Sequence, residues 1–422
     1  MRILGIESSC DETAAAVVED GERLLSNVVN SQIDIHAEYG GVIPEIAARS
    51  HLEVINPVIK KALSDADCTW DDIDAIAVTY APGLIGSLLI GTLAARTLAI
   101  IHDKPLYKIH HVEAHVYANF VTKQGSRHII DKSKTVELTS AVVFEEAVTG
   151  ASSPVSRTPR AGEATRKEYS EKMIAEVSDV LNAVAKESDE KASRRAEAVV
   201  NSSDLALSLP HHQPTFPLLA LIVSGGHSQL VLFQGHGDYR LIGQTQDDAV
   251  GEAFDKVARV MGLPYPGGPE IDRLARMGDP AAIDFPRALA QEGNYEFSFS
   301  GLKSAVLNYI NSEQMKGHEL NKADIAASFQ SAVVEVLVHK AFEAIHEAGR
   351  DTLVLAGGVA ANKALEQRLR ETAAAKGVRY LYPPPRLCTD NAAMIACRGA
   401  YQAAAGKYSD LYLNAVAGLD FD

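Results

Sequence analysis

The sequence predicts an α/β fold in two domains with an inserted segment. Short apolar strands alternate with segments of helical periodicity, a strand–turn–strand pattern recurs at corresponding places in both halves, and 422 residues are enough to bury two cores. We expect a first α/β domain over residues 1–120, an insertion over 121–214 and a second α/β domain over 215–389. Residues 390–422 are a candidate completion of the first domain.

Composition narrows the class of protein. With 46% hydrophobic and 23% charged residues the chain is typical of a soluble globular protein. A net charge of −15 disfavours nonspecific binding of polyanions, so contact with nucleic acid would need a local basic patch or a basic partner. No C-x-x-C pair and no secretion signal occur, so we expect a cytoplasmic protein. The apolar run over 84–101 contains polar and small residues, which favour a buried or interface helix over a membrane span.

The first half begins with a hairpin. An apolar strand over 3–7 leads into the polar turn 8–13, and a second strand returns over 14–18. Such a turn can wrap a phosphate, although an ordinary polar loop has the same composition. A helix over 43–63, a strand over 74–79, a helix from residue 84 and a strand over 105–109 follow.

The strand over 105–109 leads into the strongest candidate site, a pair of histidines. His111 and His115 are four residues apart, which places both rings on one face of a helix. A third ligand is needed, and the best candidate is Asp390, which lies with Thr389 before an alanine-rich helix and resembles an N-cap region. Two histidines and one carboxylate favour Fe(II), with Zn(II) as the competitor. Alternatively, the histidines are ordinary structural residues.

A zinc peptidase motif has to be considered at the same place. That motif is H-E-x-x-H, with the general base directly after the first histidine. Here Val112 occupies this position, and Glu113 is rotated about 200° from His111, away from the ligand face. The spacing therefore argues against a peptidase.

The segment between about residues 121 and 214 has a different composition. Breakers and small polar residues dominate its first part, and residues 171–200 are rich in Ala, Glu, Lys and Ser. We predict a partly disordered insertion with one or two exposed helices.

The second half repeats the strand–turn–strand pattern. An apolar strand over 218–223 is followed by Ser224, Gly225, Gly226 and His227, then by a strand over 229–233. The glycine pair predicts a tight hairpin whose backbone N–H groups can approach a phosphate, or simply a turn.

Two further stretches carry candidate ligand residues. A helix over 251–258 bears Asp255, and a loop over 265–272 ends at Asp272; carboxylates there suit ribose hydroxyls or serve as helix caps. A strand over 352–356, a glycine pair and a helix opened by Asn362 form a nucleotide-edge loop, without the dinucleotide fingerprint G-x-G-x-x-G.

Three glycine turns in two α/β halves resemble the actin, Hsp70 and sugar-kinase nucleotide-binding fold. Seven short motifs are more specific, and together they resemble the catalytic subunits of tRNA threonylcarbamoyladenosine synthases, a family long labelled O-sialoglycoprotein endopeptidases. The motifs are GIESSCDET at 5–13, GGVIPE at 40–45, HVEAH at 111–115, VSGGH at 223–227, YPGG at 265–268, FSFSGLK at 297–303 and CTDN at 388–391.

The resemblance implies transfer of the threonylcarbamoyl group from threonylcarbamoyl-AMP to the exocyclic amine of the adenosine 3′ of the anticodon. It implies one divalent metal per subunit, Fe²⁺ or else Zn²⁺, on His111, His115 and Asp390. It also implies a set of nucleotide and acyl contacts: Val223, Ser224, Gly225, Gly226, His227, Asp255, Gly268, Asp272 and Asn362. Ser9 and Glu12 of the first hairpin turn are weaker candidates for the reacting end, and no general base is assigned.

The resemblance also implies partners. The family's bacterial enzymes work with a smaller paralogous subunit and an ATPase, and the helices over 43–63 and 84–101 are expected at that interface or in the core. Ile222 and His227 replace a tyrosine and an asparagine of archaeal and eukaryotic relatives, which indicates the bacterial and mitochondrial branch. A metal-dependent peptidase and an ATP-dependent chaperone or kinase of the same fold are the alternatives.

Overall fold

A computed structural model describes residues 1–124, 212–287 and 293–421. The predicted disorder and exposed helices of the insertion fall on residues 125–211, which lie outside the described residues. Below, the part of the chain before the insertion is called the first lobe and the part from residue 212 to 389 the second lobe.

The first lobe is built on a six-stranded mixed sheet in the order β5-β4-β1-β2-β3-β6. β1 pairs with β2 antiparallel and with β4 in parallel. The predicted first hairpin is therefore present, and both of its strands are buried along most of their length. The strands are β1 Arg2–Glu7, β2 Glu12–Glu19, β3 Arg23–Ser31, β4 Ala75–Ala81, β5 Leu106–His110 and β6 Lys123–Gln124.

The second lobe has a five-stranded sheet in the order β11-β10-β7-β8-β9. Its antiparallel hairpin β7–β8 and the parallel strand β10 repeat the arrangement of β1, β2 and β4. This duplicated topology confirms the predicted α/β fold with one sheet in each half of the chain. The strands are β7 Leu218–Val223, β8 Ser228–Gly235, β9 Asp238–Gln244, β10 Thr352–Ala356 and β11 Arg379–Leu381.

Helices cover the faces of both sheets. Those before the insertion are α1 Ile33–Ala37, α2 Pro44–Asp65, α3 Ile85–Ile101 and α4 His111–Tyr117. Those after it are α5 Val250–Val260, α6 Gly267–Ala275, α7 Ser300–Met315, α8 Lys322–Glu347, α9 Lys363–Lys376, α10 Pro385–Cys388 and α11 Ala392–Ala404. Short 3₁₀ turns occur at Trp70–Asp72, Ala118–Phe120 and Gly358–Ala361.

The two lobes share a hydrophobic core. Residues of α4 and α11 pack in one buried cluster with Ile222, Phe233 and Val354 of the second sheet. α11 itself lies on β1, β2 and β4, and beyond it the backbone N–H of Val416 donates to Tyr80 O at 2.9 Å. The C-terminal segment thus returns to the first lobe.

One described helix, α8, is long and apolar enough to cross a membrane by length and composition. Most of it is buried inside the protein, where it packs against α6 and α9. The shorter apolar helix α3, by contrast, packs on α2 and β4 along one side only.

Candidate metal and nucleotide site

The predicted histidine helix exists and is one short, fully buried element, α4. His110 caps it, because its side chain accepts the backbone N–H of Glu113 at 3.4 Å. The rings of His111 and His115 lie on one face with centroids 4.8 Å apart. The four-residue spacing therefore brings the two imidazoles together as predicted.

Asp390 meets this pair from the far end of the chain. Its Oδ1 lies 3.5 Å from His111 Nε2 and 3.3 Å from His115 Nε2, and the three ligand atoms are all within 4.8 Å of one another. The N-cap of α11 is Asn391, whose side chain accepts the N–H of Met394, rather than Thr389 or Asp390 as predicted. Because Asn391 caps the helix, the Asp390 carboxylate is free to face the histidines.

The electrostatics of the three groups are mutual. Burial alone would lower the pKa of His111, but the carboxylates of Asp390 and Glu7 outweigh it and raise this pKa to about 9. Burial would raise the pKa of Asp390, and the neighbouring His111 and His115 instead lower it. The carboxylates of Glu7 and Asp390 therefore stabilise positive charge at His111, and a divalent ion would supply such charge.

Two observations test whether the three residues fit a metal. Among the described residues, His115 Nδ1 has no hydrogen-bond partner and Nε2 has only the 3.3 Å contact with Asp390 Oδ1, which is not a well-formed hydrogen bond, although the ring is 1% exposed. A buried polar atom without a partner costs about 1–3 kcal/mol, so an absent ligand is the natural explanation. In addition, His111 Nδ1 lies 3.1 Å from Glu7 Oε2, which leaves Nε2 for a metal. The residues fit a metal centre.

Glu7 is a residue that the sequence analysis did not select. It is completely buried at the end of β1, and Thr79 Oγ1 donates to its Oε2 at 2.5 Å. Burial would raise the pKa of Glu7, but His111 and the Thr79 hydroxyl lower it below the ordinary value. One sequence signal could have identified Glu7: its carboxylate directly follows the apolar run of a strand that is predicted to be buried.

Glu113 takes no part in the site. Its Oε1 accepts a hydrogen bond from Arg398 Nε at 2.7 Å in a pair that is 5% and 11% exposed. The carboxylate thus lies on the side of α4 away from Asp390, as its position in the helix predicts. It cannot act as the base of a peptidase motif.

The first hairpin turn lies beside the histidines. Ser9 Oγ is 3.2 Å from His111 Nδ1, whereas Glu12 accepts a hydrogen bond from Ser31 at 3.1 Å. Burial, followed by the neighbouring Asp11, raises the pKa of Glu12 well above its ordinary value. Ser9 therefore contacts the candidate metal ligands directly, and Glu12 is a carboxyl group with raised proton affinity.

The second-lobe turn is the predicted tight hairpin. Four residues, Ser224 to His227, connect β7 and β8, closed by the N–H of Ser224 donating to His227 O at 2.8 Å. Neither Gly225 nor Gly226 has the positive φ of a glycine-requiring turn. A Cβ on either would meet nothing within 4 Å. The two glycines thus leave their backbone open to the space beside the turn.

Two other glycines hold that turn in place. A Cβ on Gly251 would lie 2.7 Å from Ser224 O, and one on Gly357 would lie 2.3 Å from Val223 O. Gly357 also has a φ of +92°, which side chains rarely adopt. The N-terminus of α5 and the loop at Gly357 therefore pack against the end of β7 and the start of the turn Ser224 to His227.

The turn faces the histidine helix. Burial lowers the pKa of His227 to about 3, and the charges of His111 and His115 add to the effect. Asp390 also interacts with His227, so the turn of the second lobe and the candidate metal ligands lie close together.

The remaining predicted contacts have local roles. Asp255 Oδ1 accepts the N–H of Gly267 at 2.7 Å at the start of α6, so Gly268 lies within this helix rather than in a loop. Asp272 accepts a hydrogen bond from Arg276. Asn362 caps α9 through the N–H of Leu365 at 3.0 Å, as the helix predicted to open there requires. A Cβ on Gly268 would meet nothing, so the backbone there is open.

Comparison with known proteins is consistent with this geometry. The family model for tRNA N6-adenosine threonylcarbamoyltransferase matches residues 23–130 and 198–397. The chain is 42% identical over 420 residues to the tRNA N6-adenosine threonylcarbamoyltransferase of Desulfitobacterium hafniense, covering 100% of this chain and 97% of the relative. It is 45% identical over 419 residues to that of Symbiobacterium thermophilum, covering 99% and 96%.

The activity in these names is acyl transfer to tRNA, which agrees with the predicted reaction and not with the peptidase, chaperone or kinase alternatives. The matched ranges include both histidines, Asp390 and the turn of the second lobe. This chain belongs to the tRNA N6-adenosine threonylcarbamoyltransferase family.

Proposed function

We propose that the chain transfers the threonylcarbamoyl group from threonylcarbamoyl-AMP to the exocyclic amine of the adenosine immediately 3′ of the anticodon. One observation carries the proposal: a trio of candidate metal ligands in one lobe lies beside an open glycine turn in the other. An anionic acyl adenylate needs both a cation and backbone donors.

The reaction is an acyl substitution. The adenine N6 forms a bond to the carbamoyl carbon, the bond from that carbon to the phosphate oxygen breaks, and AMP leaves with the electron pair. The amine loses one proton. Because the mixed anhydride is already activated, positioning of the two reactants supplies much of the rate.

We assign the metal to His111, His115 and Asp390, with Fe²⁺ favoured by the ligand set and Zn²⁺ as the alternative. When bound, a divalent ion would supply Lewis acidity towards substrate carbonyl or phosphate oxygens. The role of the protein is to hold His111 with Nε2 towards Asp390 and to keep Ser9 beside Nδ1. Asp390 balances the charge of the centre.

The second lobe binds the nucleotide in this proposal. The open backbone of Gly225, Gly226 and Gly268 can donate to phosphate or approach the ribose without a clash. Val223, Ser224, His227, Asp255, Asp272 and Asn362 complete the proposed contacts. His227 is neutral at physiological pH, because its pKa is lowered to about 3 by burial and by its histidine neighbours.

The proton of the attacking amine needs an acceptor. Glu12 is the better candidate of the two first-turn residues, because burial and Asp11 raise its pKa. Ser9 is engaged with His111. We propose that Glu12, or water held by it, accepts this proton.

A smaller paralogous subunit and an ATPase are the proposed partners. α3 exposes Ile85, Leu89 and Leu93 by 47%, 50% and 37%, a stripe with four-residue spacing on its outer side. Such a stripe on an apolar helix is a surface typical of helix docking. We propose that the paralogue binds there, that the complex acts in the cytoplasm, and that residues 390–421 complete the first domain.

The test uses cells that depend on this protein and replaces the wild-type chain in them with a variant. His111→Ala should abolish the modified nucleoside in digested tRNA, and the variant purified without oxygen should contain less iron or zinc than the wild-type protein. His318→Ala is the matched control, because this histidine is 61% exposed and distant in sequence from the site. Normal modification by His111→Ala would refute the metal role.

A further inference from the structure

Glu7 lies behind the candidate metal ligands, and its contacts are unusually complete. Oε1 accepts the backbone N–H of Ser9 at 2.5 Å. Oε2 accepts the Thr79 hydroxyl at 2.5 Å and faces His111 Nδ1 at 3.1 Å. Burying an ion costs several kcal/mol of free energy. The buried carboxylate of Glu7 therefore needs hydrogen bonds and an opposite charge that offset this cost.

The hydrogen bonds define which atom carries each proton. The N–H of Ser9 can only donate, so it fixes Oε1 as an acceptor, and Thr79 donates to Oε2. Because both oxygens of Glu7 already accept hydrogen bonds, the 3.1 Å contact places a hydrogen on His111 Nδ1. The opposite nitrogen, Nε2, is then the ring atom left for a cation, and it faces Asp390 Oδ1 at 3.5 Å.

We infer that Glu7 is a positioning residue for the metal centre: it fixes the tautomer and the ring orientation of His111 through Nδ1, so that Nε2 binds the cation. Thr79 and the backbone of Ser9 hold Glu7 in turn. The inference rests on the proposed metal function of His111, His115 and Asp390. Carboxylates that orient ligating histidines in this way typically contribute about 10–100-fold to metal affinity.

A purely structural role is the competing explanation, because Glu7 also holds the turn at Ser9. Two variants separate the two roles. Glu7→Gln keeps the size of the side chain but has only one acceptor oxygen for donors on both sides. Glu113→Gln is the matched control: it changes another buried glutamate that contacts Arg398 and not the histidines.

The measurement is binding of Zn²⁺ and of Co²⁺ to the metal-free full-length chain, followed by metal competition and by the Co²⁺ absorption spectrum. We expect Glu7→Gln to weaken binding about 10–100-fold and to change the Co²⁺ bands. Glu113→Gln should alter the melting temperature of the metal-free protein and leave the affinity within about twofold of wild type. Equal affinity in Glu7→Gln and wild type would overturn the inference.

A spectroscopic arm needs no variant of Glu7 to fold. In the Zn²⁺-loaded wild-type chain with ¹⁵N-labelled histidine, His111 Nδ1 should carry a hydrogen-bonded proton, with the signal assigned by its loss in His111→Gln. An unprotonated Nδ1 would overturn the inference. If the wild-type chain binds neither metal, the proposed metal function fails instead, which is a different outcome.

Discussion

The two lobes contain the same strand–turn–strand unit but use the turn differently. In the first lobe this region presents polar side chains. Glu7 at the end of β1 and Ser9 of the following turn contact His111, and Glu12 of that turn has a raised pKa. In the second lobe the turn after β7 has two glycines with open space around them. The same strand–turn–strand unit therefore presents polar side chains in the first lobe and open backbone in the second.

The comparison also separates two kinds of glycine. Gly225 and Gly226 lie at the open turn, whereas Gly251 and Gly357 would place a Cβ against the backbone of Ser224 and Val223. The first pair leaves room for a ligand, and the second pair allows close packing. A glycine-rich pattern in sequence does not distinguish these roles.

The largest effect should follow from removing Asp390, the carboxylate that faces the histidines beside the first-lobe turn. Asp390→Ala removes one of three proposed ligands and several kcal/mol of charge stabilisation, so tRNA modification should fall by about 10³-fold or more. Metal content should fall with it, measured in the purified protein. The fold should persist, because Asn391 and not Asp390 caps α11.

Asn391→Ala is the control for that experiment. It removes the cap of α11 and should cost about 0.5–2 kcal/mol in unfolding free energy, with the metal retained. If Asp390→Ala unfolds the protein while Asn391→Ala does not, the Asp390 carboxylate has a structural role and is not a metal ligand.

A smaller effect is expected at a glycine that packs against the turn of the second lobe. Gly251→Ala gains about 0.5–1 kcal/mol of helix propensity, but its Cβ would lie 2.7 Å from Ser224 O. Such overpacking costs about 1–3 kcal/mol, so we expect a net loss of stability in chemical denaturation.

Gly226→Ala should behave in the opposite way. Its Cβ meets nothing within 4 Å, so stability should stay within about 0.5 kcal/mol of wild type. Binding of threonylcarbamoyl-AMP, measured by calorimetry, should weaken. Unchanged binding would mean that the open turn is not a ligand site.

The smallest effect on the isolated chain should come from the outer surface of the first lobe. Leu89 is 50% exposed on α3, so Leu89→Glu should change unfolding free energy by no more than about 0.5 kcal/mol. Co-purification of the smaller paralogous subunit should nevertheless be lost, because a charge would enter an apolar contact. Ser87→Ala, a buried position on the same helix, tests whether any change in α3 has this effect.

Local patterns in the sequence were enough to predict the main helices and strands and the pair of histidines in the candidate site. The four-residue spacing of His111 and His115 fixed their common face, because a helix repeats every 3.6 residues. Alternating apolar strands and glycine turns predicted both lobes. The motifs predicted the family, and the relatives confirm it.

Contacts between residues far apart in the chain could be read only from the three-dimensional structure. Nothing local to residue 390 shows that its carboxylate lies 3.3 Å from His115, or that Glu7 reaches His111. Nor does the sequence distinguish the open Gly226 from the packed Gly251. Spacing determines which residues share a face of one element, whereas the packing of sheets and helices from separate parts of the chain determines which faces touch.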